Sequence, residues 1–233
     1  MNLINLLIVT FLSTVSIMPR ESTTSKKSLN PELASYINAA KNDFSQIPQD
    51  RKEELDKITK YIQKQADAGQ PVQLTFICTH NSRRSHFGQI WAAAAANYYD
   101  IPNVKTYSGG TETSAFNERA AAACERAGFD IKKTSEGKNP VYHVSYASDT
   151  EPLKAFSKKY DDGSNPQTSF CAIMTCSQAD KACPAVKGAT ARVAIPYDDP
   201  KQFDGTPQET AKYDERCKQI ATETLYVFSK VKI

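Results

Sequence analysis

From residue 72 onward the chain alternates short apolar runs with stretches of helical periodicity. Residues 72–78, 104–107, 170–175 and 192–195 are rich in Val, Ile, Phe and Thr and predict strands. Residues 84–99, which carry the alanine run 92–96, predict a helix, as do 114–128, closed by Gly128, and 207–229. Ser108-Gly109-Gly110 reads as a turn, 141–146 as a strand with less distinct neighbours, and 146–169 as an insertion or long loop around Asp161-Asp162-Gly163-Ser164-Asn165-Pro166. Upstream, Leu33, Tyr36, Ile37 and Ala40 share one helical face. Leu55, Ile58 and Ile62 share another, beyond Pro48 and before Gly69-Gln70-Pro71. Strands separated by helices predict an α/β fold, an open parallel sheet with helices on both faces, preceded by a helical extension over 31–71.

Composition narrows the class. With 233 residues, 40% hydrophobic and 24% charged, the chain can bury one sizeable core. A net charge of +3 without basic runs interleaved with aromatics argues against a nucleic-acid partner. Six cysteines, at 78, 124, 171, 176, 183 and 217, are too unevenly spaced for a small disulfide scaffold and point to thiol chemistry. The apolar segment within residues 1–20 has the length of a signal h-region but no Lys or Arg before it and no clear cleavage site. A signal or anchor and an upstream start are both open readings, followed by a linker over 21–30. A working thiolate favours the cytoplasm, and membrane contact is expected only if residues 3–18 are retained.

The chemistry gathers behind predicted strand ends. In an open α/β sheet, ligands bind beyond the carboxyl ends of the strands. The loop Cys78-Thr79-His80-Asn81-Ser82-Arg83-Arg84-Ser85, Ser108, Cys176 and Tyr197-Asp198-Asp199-Pro200 each follow such an end. Helix-start amides facing the first loop would stabilise a thiolate at Cys78 and bind an oxyanion, and Arg84 adds a planar two-toothed donor. Thr79, His80, Asn81, Ser82, Arg83, Ser85 and Ser108 complete the expected anion-binding and supporting set. No metal-ligand spacing is present: Cys176 and Cys183 lack a second Cys or His pair.

C-x5-R-S, Tyr107-Ser108-Gly109-Gly110 and Asp198-Asp199-Pro200 resemble the low-molecular-weight protein tyrosine phosphatase superfamily. Cys176 through Cys183-Pro184 resembles the redox segment of its thioredoxin-coupled arsenate reductase branch. The resemblance covers roughly residues 72–233, outside the insertion near 146–169. It implies a four-stranded sheet of phosphotyrosine phosphatase I-like topology in flavodoxin-like order. It also implies Cys78 as nucleophile, Arg84 as oxyanion clamp, Ser85 as thiolate hydrogen-bond partner, Asn81 as loop brace and Asp199 as general acid, with Asp198 its competitor. His80 and Arg83 depart from the family's glycine and cysteine and make the loop bulkier and more basic; His80 is expected to face solvent.

Further implications concern reaction type and bound groups. Cys176 and Cys183 would pass a disulfide outward during reduction of arsenate to arsenite, with thioredoxin or a similar thiol reductant as co-substrate and no other cofactor. The alternative is a phosphatase acting on phosphotyrosine or another phosphomonoester of a phosphoprotein, for which Cys78 alone suffices; a non-catalytic oxyanion-binding module or redox sensor is a third class. Lys201-Gln202-Phe203 lacks the tyrosine that such phosphatases place after the proline, leaving Phe203 and Tyr197 as substitutes. The branch's structural potassium would match Asn81, Gln89, Ser108, Thr134 and Glu136, but an amide replaces an anionic ligand at 89, which makes potassium doubtful.

Overall fold

The computed structural model describes residues 29–233, so the segment 1–20 and the linker up to residue 28 lie outside the described residues. In chain order the elements are α1 (Pro31–Lys41), α2 (Gln49–Asp67), β1 (Val72–Cys78), α3 (Arg84–Tyr98), β2 (Val104–Gly110), α4 (Glu118–Arg126), β3 (Asp130–Lys133), β4 (Tyr142–Ser145), β5 (Leu153–Ala155), β6 (Phe170–Met174), α5 (Ser177–Ala182), β7 (Ala189–Ala194) and α6 (Glu209–Ser229). Four parallel strands form the main sheet in the order β2-β1-β6-β7, a flavodoxin-like arrangement. Among the described residues no helix is long and apolar enough to cross a membrane.

Period-two alternation divides the core in two. Leu74 and Phe76 of β1, Cys171 and Ile173 of β6 and Val193 of β7 face one cluster, shared with Leu33, Ile37, Leu55, Ile62, Trp91 and Leu225 of the helices. Ile77, Phe170, Ala172 and Met174 face the other, which receives Cys78, Cys176, Ala179 and Val186. Coverage of the sheet is thus unequal: among the described residues, α5 is the only helix contributing to the second cluster. The alanine run of α3 is buried on all sides, and a side chain at Gly88 would meet the Phe76 ring within 2.3 Å, so small residues let this helix lie close on the sheet.

Two readings change. Ser108-Gly109-Gly110 is not a turn: β2 stays paired with β1 to the register Cys78↔Gly110. A Cβ at Gly109 would sit 2.3 Å from the Tyr160 backbone, so these glycines admit a neighbouring segment rather than a bend. That segment comes from the stretch 146–169, where Gly110 N–H donates to Lys158 O (2.9 Å) and Tyr160 N–H to Gly110 O (3.0 Å). The same stretch holds β5, which with β3 and β4 forms a separate antiparallel sheet. The helix expected from 114 begins later, at Glu118, because Asn117 caps it and residues 114–117 run along the anion loop.

Candidate active site

β1 delivers Cys78 to the carboxyl edge of the sheet, and α3 starts six positions later. Arg83 occupies the N-cap position but sends its side chain to the Tyr213 hydroxyl (3.1 Å), so the first amides of α3 have no side-chain cap. Asn81 turns the loop with φ of 44°, a conformation that asparagine tolerates better than most residues. Its buried amide donates to Ser85 Oγ (2.9 Å) and accepts from Lys158 N–H (2.9 Å). Ser85 Oγ in turn lies 3.1 Å from Cys78 Sγ, with both side chains buried.

Behind the loop, His86 is fully buried, with Nε2 3.0 Å from Asn81 O and Nδ1 3.3 Å from Ser108 Oγ. A carbonyl only accepts, so Nε2 carries the proton and Nδ1 accepts from the serine hydroxyl. Burial, and then the charge of Lys158, push the imidazole well below its ordinary range, which keeps it neutral. Lys158 is itself buried, with its ammonium 4.4 Å from the Phe156 ring centre; burial lowers it to about 8 against the pull of Asp162.

The Asp-Asp-Pro segment reaches the loop from the end of β7. Arg84 donates through one terminal nitrogen to Tyr197 O (2.9 Å) and through the other to Asp199 Oδ2 (2.8 Å). Its Nε is buried without a protein partner among the described residues, a donor suited to an oxyanion. Asp198 points away: its side chain is 86% exposed and 3.6 Å from Arg216. Tyr197 does not form a wall for a substrate ring, because its side chain is buried with the hydroxyl on Glu223 (2.8 Å).

The remaining loop residues have distinct surroundings. Thr79 Oγ1 lies 3.4 Å from Cys176 Sγ. His80 is half exposed and 3.3 Å from Glu112. Ser82 is buried and accepts at its carbonyl from Asn117 N–H. A cavity of about 500 Å³ opens beside His80, Ser82, Arg83 and Asp199, with Phe116 and Tyr142 among its walls.

All six cysteines are free thiols. Cys176 is buried, its sulfur accepting from Ala179 N–H (3.4 Å), and Cys183 packs partly exposed against the same cluster as Cys78 and Cys176. Cys171 is pushed up to about 12 by burial, and Cys124 is likewise raised by burial and by Cys217; these three pack in the larger cluster. The positions that the resemblance matches to potassium have unlike surroundings. Asn81, Gln89 and Ser108 are buried, whereas Glu136 is 88% exposed and holds Lys133, and Thr134 donates to Val141 O. Lys158, which with Lys159 reads from the sequence as a solvated pair, is instead buried, and the sequence reading does not reach His86, whose position directly after Ser85 in a buried helix is the one signal that marks it.

No family model matches the chain. An arsenate reductase of Halalkalibacterium halodurans is 27% identical over 156 residues, 66% of this chain and 93% of that protein. An arsenate reductase of Staphylococcus aureus is 30% identical over 125 residues, 54% of this chain and 76% of that protein. A solved low-molecular-weight phosphotyrosine phosphatase of Vibrio cholerae O395 is 11% identical, covering 68% of this chain and 94% of its own, at a TM-score of 0.45. At that identity and coverage the Staphylococcus aureus relative shows that the chain belongs to the arsenate reductase family and is an enzyme.

Proposed function

We propose that the chain reduces arsenate to arsenite with its own thiols. The observation that carries this reading is Cys176 Sγ at 3.4 Å from Thr79 Oγ1, one residue along the loop from Cys78, with both thiols in one buried cluster. A hydrolase needs only the first cysteine there. Cys78 thiolate attacks arsenic, and Asp199, held by Arg84, supplies the proton with which one oxygen leaves as water. Arg84 and the loop amides hold the remaining oxygens. Cys176 then attacks Cys78 Sγ; the sulfur–arsenic bond breaks, its electron pair stays on arsenic, and arsenite leaves. Cys183 attacks Cys176, frees the Cys78 thiolate and carries the disulfide outward to thioredoxin or a similar dithiol.

The alternative, hydrolysis of a phosphomonoester through a phosphocysteine, is favoured by one observation: the cavity of about 500 Å³ beside the loop offers more room than a free oxyanion needs. Substitution Cys183→Ser separates the two. The reductase reading expects one equivalent of arsenite, an accumulated Cys78–Cys176 disulfide and no thioredoxin-driven turnover. Full phosphomonoester hydrolysis with no arsenite from either protein would reject it.

A further inference from the structure

The segment between Cys176 and Cys183 forms α5, a helix of six residues. Seven positions at ~1.5 Å rise each separate the two Cα atoms by ~10 Å along a helix axis, beyond the ~7 Å limit of a disulfide. The segment must therefore unwind, at least in part, before Cys183 can reach Cys176. A helix this short has little stability of its own and depends on what holds it. Only Ala179 of its residues is buried.

The other hold comes from the sheet. Arg192 of β7 lies opposite Ala172 of β6, on the face of the sheet that α5 covers. Its guanidinium donates to Asp180 O at 2.8 Å and to the Asp180 carboxylate, and its Nε donates to Cys183 O at 3.1 Å. One planar donor thus grips two carbonyls and a carboxylate in the half of the segment that has to move. The side chain is 27% exposed, so these bonds are partly shielded from water.

We propose that Arg192 is a positioning residue that latches the Cys176–Cys183 segment in its helical form and sets the rate at which the disulfide passes outward, an inference that rests on the reductase reading. With the latch closed, Cys183 is held from Cys176 while Cys176 is free to meet Cys78. Release lets the Cys183 thiolate attack Cys176 Sγ; the Cys78–Cys176 bond breaks, Cys78 leaves as thiolate, and no net oxidation occurs. Holding the segment until the first disulfide has formed keeps Cys176 directed at Cys78 while arsenic is still bound.

The test uses the reduced full chain in single turnover with arsenate, with thiols trapped by alkylation and disulfides mapped by peptide mass. Amide hydrogen exchange over residues 177–183 is read in parallel. Arg192→Ala is expected to raise that exchange and speed conversion of Cys78–Cys176 to Cys176–Cys183 about tenfold, as loss of a charge-assisted hydrogen bond sets. Arg192→Lys, which keeps the charge and loses the fork, should fall between the variant and the parent, and phosphate binding at the Cys78 loop should be unchanged. A gain in rate is a result that simple damage to the fold does not produce. Unchanged exchange and unchanged conversion in Arg192→Ala, with Cys176–Cys183 forming in both proteins, overturn the latch alone. Failure of the parent protein to form that disulfide overturns the latch and the reductase reading together, and its failure in Arg192→Ala alone overturns the latch.

Discussion

The hydroxyl of Thr79 lies 3.4 Å from the sulfur of Cys176, joining the anion loop to the segment that follows β6. The contact places a polar group beside a buried thiol and fixes where that thiol points. Thr79→Val keeps the shape and removes the hydroxyl. On the proposed reductase reading, it should slow the step in which Cys176 resolves the arsenic adduct by about three- to tenfold, the range set by one modest hydrogen bond. Rapid-quench measurement of arsenite release, beside equilibrium binding of phosphate, checks this: binding should stay at the parent value while release slows.

The two adjacent aspartates should separate sharply. Asp199 is paired with Arg84 at 2.8 Å, whereas the Asp198 side chain is 86% exposed. Asp199→Asn is expected to lower turnover about 10²- to 10⁴-fold, as loss of a general acid does. Asp198→Asn should remain within about twofold of the parent, since an exposed charge of this kind contributes little. Equal losses in the two variants would remove Asp199 from the proton-transfer role.

Arg51 of α2 donates to Glu223 of α6 at 2.8 and 3.0 Å and lies 4.7 Å from the Tyr197 ring centre. The Glu223 side chain is only 5% exposed, and it also accepts from Tyr197. Removing the arginine strands a buried carboxylate, so Arg51→Ala should cost about 3–5 kcal/mol. Urea denaturation measures it, and the paired change Arg51→Met with Glu223→Leu should recover much of the loss. The helical extension thus braces the strand end that presents Asp199.

Lys158 makes stability depend on pH in a stated direction. Its folded-state value of about 8 lies below the ordinary 10.5, so between those limits the unfolded chain holds a proton that the folded chain has released. The contribution of this residue to stability therefore rises with pH across that window. Below it, the folded protein carries a buried charge at a cost on the order of 3 kcal/mol. Lys158→Met should abolish that slope and stabilise the protein at neutral pH, where a methionine fits the apolar setting beside Phe156. Urea midpoints of parent and variant at several pH values from 7 to 10 provide the measurement; parallel curves would refute it.

Central strands and long helices were legible because burial forces a pattern: β1 and β6 are apolar runs, and α3 is too alanine-rich to be anything but a packed helix. β3 escaped notice because Asp130-Ile131-Lys132-Lys133 is a short, charged and largely exposed strand. Ser108-Gly109-Gly110 was misread because glycine marks close backbone approach as readily as it marks a bend. In the site, spacing pointed to the loop and the Asp-Asp-Pro segment. Spacing gave no sign of Lys158 or Arg192, whose importance comes from contacts across the fold.

β1 and β6 are paired as Ile77↔Met174, and their parallel course brings Cys78 and Cys176 out at the same edge. A slip of one residue between these strands would turn every side chain of the shifted strand to the opposite face and carry Cys176 away from the loop. On the proposed reductase reading, electron flow through the two thiols is therefore a readout of correct strand alignment. A misfolded but compact chain would still possess every cysteine, yet it would conduct no electrons from one to the next.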